Sequence, residues 1–207
     1  GPLIRLRFFG GWDYPKDLVT KDGFVKQAYA GGVPMGQDLP ALKAGSKGPS
    51  FAVWALKDPE SGNLDRVQIV KGWYEKGFAQ ETVHDVAWSD EDKRDIDSRG
   101  RLTPVGSTVN VKEASYTNEI GATQLRTVWT DPDFDPSQHA VYYVRVLEIP
   151  TPRWSTYDAK ALGVAPPEGV DAVIQERAWS SPIWYTPDPS LVKKAASYPS
   201  LRFGSSK

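Results

Sequence analysis

The stretch that decides the fold is residues 65–74, DRVQIVKGWY, followed by the link 75–77 and by residues 78–88, FAQETVHDVAW. Apolar and polar residues alternate in the first segment, which is typical of a strand with one buried face. A link that contains glycine predicts a tight turn. The sequence therefore predicts an antiparallel hairpin with one apolar face and one face in water. We expect this hairpin to be scaffold and not site.

Short apolar segments of the same kind occur along the rest of the chain, separated by Gly, Pro, Asn and Asp. No segment keeps helical periodicity beyond about three turns. Two short helices are nevertheless predicted, at 21–30 and 157–162. We predict a mainly β fold, with sandwich-like antiparallel sheets, in a domain of residues 1–187 followed by a docked tail, 188–207. The predicted strands are 3–9, 51–56, 66–74, 81–88, 125–129, 141–149 and 178–185.

The composition argues against several classes of function. Lys and Arg number 25 against 26 Asp and Glu, so no broad positive field attracts nucleic acid or an anionic membrane. The absence of cysteine removes thiol catalysis and disulfides, and it fits both a reducing cytoplasm and a bacterial periplasm. No apolar run approaches the length of a membrane span. We expect no nucleic-acid partner and no membrane partner, whereas a homo-oligomer is compatible with these numbers.

Catalytic motifs are scarce in this sequence. A hydrolytic metal site usually gathers several histidines and carboxylates, but the chain has only His84 and His139. No Gly-x-Ser-x-Gly elbow presents a serine nucleophile. Asp131, Asp133 and Asp135 alternate in DPDFD and could converge on Ca²⁺, although Asp-Pro pairs also simply begin turns. We expect no catalytic residue and no cofactor in this chain, with these three carboxylates as weak metal candidates.

The segment 150–158, PTPRWSTYD, is the best candidate for a binding site. Two prolines end a strand and stiffen a loop that presents Arg153, Trp154, Tyr157 and Asp158 together. An arginine can bind a carboxylate, phosphate or sulfate in a fork, and a tryptophan offers a stacking face. The alternative is structural: an ion pair between Arg153 and Asp158, with Trp154 buried in an interface.

Two glycine-rich loops, 10–14 and 31–36, are weaker candidates. Neither has the glycine spacing that holds a pyrophosphate, so we expect the glycines to permit close packing. Should a ligand bind there, it would contact Trp12, Asp13 and Met35. The charged segment 89–103 is predicted to be an exposed loop without chemistry. Six further tryptophans lie in predicted strands and are expected in the core: residues 54, 73, 88, 129, 179 and 184.

Six longer strings resemble a known family. Together, and in this order, they resemble the C-terminal portion of a bacterial family known as domain of unknown function 3604, over roughly residues 1–187. The strings are RFFGGWDY (7–14), GVPMG (32–36), VWALKDP (53–59), VWTDPDFDP (128–136), YVRVLEIPTPRW (143–154) and ERAWSSPIWY (176–185).

The resemblance implies a larger protein of which this chain is an accessory region. Members of the family look like longer α/β proteins whose N-terminal half is similar to the polymerase-and-histidinol-phosphatase superfamily of phosphoesterases, which bind divalent metals through His, Asp and Glu. The metal and its ligands would then belong to an upstream half of the same protein. Gly1-Pro2 would mark the junction between the halves, or the remnant of a cleaved tag.

The function implied is that of an accessory part of a metal-dependent hydrolase acting on phosphoesters or similar esters. Loops 10–14, 31–39 and 150–158 would face the mouth of its active site, with Arg153 steadying an anionic group. The chain alone would not be an enzyme. The family's frequent export favours the periplasm. The alternatives are a non-catalytic β-sandwich module that binds a glycan or a peptide, and a purely structural role.

Overall fold

The computed structural model describes residues 1–192 and confirms the mainly β fold, with antiparallel sheets in a sandwich-like arrangement and two helices, α1 (Phe24–Gly31) and α2 (Trp154–Leu162). Most strands form two larger sheets. The strands are β1 (Arg5–Trp12), β2 (Gly32–Pro34), β3 (Pro49–Leu56), β4 (Leu64–Glu75), β5 (Phe78–Trp88), β6 (Gln124–Thr130), β7 (Ala140–Glu148), β8 (Thr151–Pro152), β9 (Val173–Ile174), β10 (Arg177–Trp179) and β11 (Ile183–Tyr185).

The first sheet has the strand order β2-β1-β3-β6, and the second has the order β10-β7-β4-β5, with β11 also paired to β7. A separate pair is formed by β8, just before α2, and β9, which follows α2 in the chain. All these pairings are antiparallel. The long strands β4 and β7 form the centre of the second sheet, so this sheet is the frame on which the surfaces described below are built.

The predicted hairpin is β4 and β5. Its turn is the pair Lys76-Gly77, whose φ angles of 50° and 88° are those of a tight turn that follows the twist of the strands. Val67 and Ile69 point between the sheets and are fully buried. A bulge shifts the β4–β5 register next to Val67.

The main core lies between the two sheets. The first sheet contributes Phe8, Phe51 and Val53, and the second contributes Tyr142 and Val144, all fully or almost fully buried. A smaller cluster on the other side of the first sheet is covered by α1 and by the 3₁₀ turn Leu18–Thr20; its members are Phe9, Tyr14, Leu18, Val19, Phe24, Ala28 and Ala52. One sheet is therefore covered on both faces, whereas the second sheet keeps an open outer face.

The prediction of one continuous strand over 178–185 is wrong. The segment breaks into β10 and β11, both paired with β7, because Pro182 has no N–H to donate to the ladder. Trp179 faces Arg145 and Ile183 faces Tyr142, so the segment has one residue more than its partner strand over this interval. The Ser180 hydroxyl accepts the N–H of Val144 and satisfies the interrupted ladder.

The segment 89–103 is not the wholly exposed loop that its charges predict. Arg94 is buried, and its guanidinium reaches back to the Asp65 carboxylate, to the Ser89 hydroxyl and to the backbone carbonyl of Thr103. The segment was predicted to be wholly exposed because it is rich in charged residues, and most of these are indeed exposed; Arg94 is the buried exception. One arginine thus holds the loop against the start of β4.

The predicted tail, 188–207, is described only as far as Val192, and its docking over 193–207 lies outside the described residues. Asp188 caps the first turn of this segment by accepting the N–H and the hydroxyl of Ser190. Within residues 1–192, neither helix is long and apolar enough to cross a membrane.

Candidate functional site

The predicted binding segment 150–158 forms the entry to α2. Pro152 ends β8, Arg153 precedes the first helical residue, and the helix runs to Leu162. Gly163 closes it with a φ of 65°, and its N–H returns to carbonyls of the last turn. The segment is therefore a strand, a rigid corner and a short helix, and it places the four predicted side chains on one element.

The helix α2 turns its large side chains outward. Its buried residues are the small Ser155, Thr156 and Ala159. Trp154 is 71% exposed, and Tyr157, Asp158 and Leu162 are exposed with it. Because residues at i, i+3, i+4 and i+8 share a helical face, these four side chains form one surface, which we call the α2 face.

The ion pair between Arg153 and Asp158 that the structural alternative requires is not found within residues 1–192, whereas burial of Trp154 in an interface with another polypeptide stays a prediction. Arg153 donates through Nε to the carbonyl of Asp171, 2.8 Å away, instead of pairing with Asp158. Trp154 is not buried within the described residues. The structure thus brings Trp154, Tyr157 and Asp158 together on one helical face, with Arg153 at its beginning, and whether they bind a ligand stays a prediction.

An unusual carboxyl group lies beneath this end of the sandwich. Glu148, the last residue of β7, is fully buried. Its Oε2 accepts the hydroxyl of Ser61 at 2.7 Å, while its Oε1 has no hydrogen-bond partner among the described residues. Burial raises the pKa of Glu148 to about 7, the Ser61 hydroxyl opposes this rise, and the nearby Asp58 and Glu176 add to it. Both protonation states are therefore accessible near neutral pH.

Tyr116 connects Glu148 with the α2 face. Burial raises the pKa of Tyr116, and the neighbouring Tyr157 and Glu148 act in the same direction. Asp58 adds a smaller effect of the same sign. The Asp58 carboxylate also accepts the backbone N–H of Leu3 at 2.7 Å. The α2 face, Glu148 and the beginning of the chain thus occupy the same end of the sandwich.

The candidates in the glycine-rich loops lie elsewhere. Trp12 is buried between the sheets, where its ring meets Phe134 and Tyr185 edge-on and its indole N–H donates to the carbonyl of Pro40. Met35 is partly buried against the same core. Trp12 is not available to a ligand in this arrangement, and the role of both side chains as ligand contacts stays a prediction.

Asp13 is exposed and already engaged. Its carboxylate binds the ammonium group of Lys43 and the hydroxyl of Ser46, each at 2.9 Å. These hydrogen bonds lower the pKa of Asp13. Asp13 therefore fastens the segment that carries Lys43 and Ser46 to the end of β1, and it is not brought near the α2 face by any contact of the described residues.

The three alternating carboxylates do not converge. Asp131 is buried and accepts the Lys71 ammonium at 2.6 Å and the Tyr142 hydroxyl at 2.7 Å. Asp135 instead accepts the N–H and the hydroxyl of Ser137, as a turn residue does. Asp133 is exposed. Over residues 1–192, no group of three or more His, Cys, Asp or Glu side chains is arranged to hold a metal ion.

Sequence reasoning missed a cleft on the outer face of the second sheet. The prediction that Trp179 and Trp184 lie in the core is wrong, because Trp179 is 57% exposed and Trp184 is 41% exposed. Trp184 borders a cleft of about 620 Å³ at the turn end of the hairpin. We call it the hairpin cleft; its lining includes Asp38, Gly72, Trp73, Tyr74, Gln80, Glu81, His139, Val141, Tyr143 and Trp184.

The comparisons with known proteins agree with the family resemblance. A family model described as "Protein of unknown function (DUF3604)" matches residues 1–187. No curated protein and no solved structure matches the chain. The position of this chain within a longer family member, and the metal-binding nature of an upstream half, stay predictions. Because the family model spans all but the last part of the sequence, the chain belongs to the DUF3604 family.

Proposed function

We propose that this chain is the accessory C-terminal part of a metal-dependent hydrolase of phosphoesters or similar esters, and that it binds the catalytic half through the α2 face. The observation that carries the proposal is the orientation of α2, which buries Ser155, Thr156 and Ala159 and exposes Trp154. A helix on a folded domain normally buries its large apolar residues. A helix that does the opposite is suited to contact another polypeptide.

The chemistry of the α2 face fits a protein interface. Tryptophan, tyrosine and arginine are the side chains that most often dominate binding energy, and Trp154, Tyr157 and Arg153 lie together here. The helix begins after a proline-stiffened corner, so these side chains are held in position before binding, which reduces the ordering cost. Lys160, on the same helix, already forms an ion pair with Glu113 at 2.7 Å. The aromatic residues therefore form the centre of the α2 face.

The location of the chain's first residues is compatible with this proposal. Leu3 is fastened to Asp58, and Gly1 lies next to Glu176, where an added Cβ would stand 3.8 Å from the carboxylate. Asp58 is near Tyr116, which is near Tyr157. A polypeptide continuing upstream from Gly1 would therefore begin beside the α2 face.

In this proposal the division of labour is simple. The catalytic half would hold the divalent metal, which would supply an activated water there. The present chain contributes shape and position: Trp154 and Tyr157 exclude water from the interface, and Arg153 steadies an anionic group of the substrate through the guanidinium nitrogens that do not donate to Asp171.

The experiment is a comparison of the complete gene product with this chain. We expect the complete protein to contain stoichiometric divalent metal and to hydrolyse p-nitrophenyl phosphate or bis(p-nitrophenyl) phosphate, and this chain to do neither. Trp154→Ala in the complete protein should lower kcat/KM at least tenfold, because loss of a central interface tryptophan costs about 2 kcal/mol or more.

Trp179→Ala is the matched control, since Trp179 is similarly exposed but lies on β10. It should leave kcat/KM unchanged. A complete protein without bound metal or esterase activity would contradict the proposed hydrolase function. Equal activity of the Trp154→Ala and Trp179→Ala proteins would contradict the proposed role of the α2 face in the interface.

A further inference from the structure

We infer that the hairpin cleft is a binding site for an uncharged oligosaccharide. The cleft lies on the open outer face of the second sheet, away from the α2 face. The strand β4 connects the two: Leu64 pairs with Glu148 at one end, and Gly72 forms the floor of the cleft at the other. Eight residues of strand separate them, a distance of roughly 27 Å. The inference therefore does not depend on the proposed hydrolase.

The floor of the cleft is low because it contains a glycine. Across the outer face, Gly72 stands in one row with Glu81 of β5, Val141 of β7 and Trp184 of β11. A Cβ at Gly72 would lie 3.0 Å from Val141 Cγ1, so even a small side chain would crowd this row. The glycine thus leaves a trough in the middle of a sheet face that side chains otherwise cover.

Aromatic rings border this trough. Tyr74 shares the outer face two residues further along β4, and Tyr143 stands opposite Val70, two residues in the other direction. Each is therefore about 7 Å from the Gly72 row. Trp184 closes one end of the row. Tyr74 is 64% exposed and Trp184 is 41% exposed, although burying such rings is strongly favourable.

Polar side chains surround the rings. Asp38, Glu81 and His139 line the cleft with their side chains, and Gln80 borders it through its backbone carbonyl. Within residues 1–192, none of these three side chains has a hydrogen-bond or ion-pair partner in the structure. They offer acceptors and donors that are oriented by the sheet and its loops but engaged by no neighbouring residue.

This combination matches one class of ligand. A sugar ring presents an apolar face of C–H groups, which packs on an aromatic ring, and an edge of hydroxyl groups, which bond to carboxylates, amides and imidazole. A purely apolar ligand would leave the three polar side chains without partners, which is costly on burial. The two carboxylates, Asp38 and Glu81, repel anionic sugars, so the ligand is uncharged.

The length of the trough indicates an oligosaccharide. Trp184 and Tyr74 lie on different strands and in different rows, with Gly72 between them. One sugar ring covers one aromatic side chain, so two or three rings are needed to contact Tyr74, Tyr143 and Trp184. The cleft volume of about 620 Å³ is sufficient for such a ligand.

The test is titration calorimetry of the chain with neutral hexasaccharides, namely cellohexaose, laminarihexaose, xylohexaose and mannohexaose, and with an oligogalacturonate as the anionic probe. We expect at least one neutral hexasaccharide to bind. Trp184→Ala should weaken that binding at least tenfold, and Glu81→Gln should weaken it less. Trp179→Ala, which removes another exposed tryptophan, one that does not line the cleft, should not change it.

Three results would overturn the inference. One is the absence of binding to every neutral probe at millimolar concentration, and the second is a preference for the oligogalacturonate. The third is equal binding by Trp184→Ala and Trp179→Ala. Sedimentation velocity tests the alternative that the cleft binds a second copy of the chain. A dimer that dissociates on Tyr74→Ala substitution would assign the cleft to that second copy and not to a sugar.

Discussion

Two buried carboxylates stand side by side in the second sheet and have opposite surroundings. Asp65 is the second residue of β4 and Glu148 is the last residue of β7; Leu64, the residue before Asp65, pairs directly with Glu148. Both are fully buried. One side chain even touches both residues, since Gln175 Nε2 donates to the Asp65 carboxylate and to the Glu148 carbonyl.

The difference lies in the number and charge of the partners. Asp65 receives Arg94 at 2.6 Å, Arg66 at 3.0 Å and Gln175 at 2.9 Å. Among residues 1–192, the Glu148 carboxyl group receives only the Ser61 hydroxyl. Two guanidinium groups make Asp65 a fixed link between neighbouring segments, whereas burial with a single neutral donor raises the pKa of Glu148. Position in the fold therefore does not determine what a buried acid does; its partners do.

The largest expected effect is on the Asp65 side. Arg94→Met removes the shortest ion pair and leaves a buried carboxylate short of positive charge, so we expect the free energy of unfolding to fall by about 4 kcal/mol. Urea denaturation measures it. Arg101→Met is the control, because its ion pair with Asp97 is exposed and should be worth less than about 1 kcal/mol. Similar losses for both variants would contradict this account of Asp65.

A third buried carboxylate extends the comparison. Asp131 is held by Lys71 and by the Tyr142 hydroxyl. Lys71→Met should destabilise the protein by about 3 kcal/mol, less than Arg94→Met, because Asp131 keeps the hydroxyl of Tyr142 and the N–H of Asp133. Denaturation under identical conditions ranks the two. An unchanged free energy of unfolding in Lys71→Met would show that hydrogen bonds alone are sufficient to hold the Asp131 carboxylate.

The next prediction concerns pH and Glu148. Its pKa is about 7 in the folded protein and near the ordinary 4.5 when unfolded, so protonation favours the folded state. The resulting stability is present below pH 4.5 and is lost as the pH rises through 7. Between pH 5 and 8, the wild type should lose about 2 kcal/mol more than Glu148→Gln.

Denaturation of the two proteins at both pH values gives this difference, in which other titrating groups cancel. A parallel pH dependence of wild type and Glu148→Gln would mean that Glu148 has an ordinary pKa in the folded protein.

The smallest expected effect is on the α2 face. Trp154→Ala in this chain should change the free energy of unfolding by less than about 0.5 kcal/mol, because the side chain is 71% exposed. Thermal and urea unfolding measure it. A loss of several kcal/mol would mean that Trp154 packs within this chain and is not an interface residue.

The sequence predicted the longer strands well, although not the short strands β2, β8 and β9, because alternation over several residues reports directly on a half-buried face. The hairpin turn was equally readable, since Lys76-Gly77 needs positive φ angles that glycine provides. The helix α2 was predicted at 157–162 and begins three residues earlier, at Trp154, because a proline-stiffened corner continues directly into the helix.

Two errors have specific physical causes. The extra residue between β10 and β11 reverses which face Trp179 occupies, so an uninterrupted alternation through 178–185 would have placed it with Ile183 in the core. Arg94 was unrecognisable for a different reason: nothing local separates it from the exposed charges around it, since its partner, Asp65, is distant in sequence. Predicting the hairpin cleft would require both the face on which each strand residue lies and the contacts between residues distant in sequence, such as Gly72 and Trp184.

The length of β4 has a consequence for whatever the two surfaces bind. This strand lies in the middle of the second sheet, hydrogen-bonded on both sides along most of its length, and such a strand resists bending. A polymer held at Gly72 would therefore be kept at a fixed distance from a protein docked at α2. Rigid spacing of this kind raises the local concentration of one ligand near the other without any flexible linker.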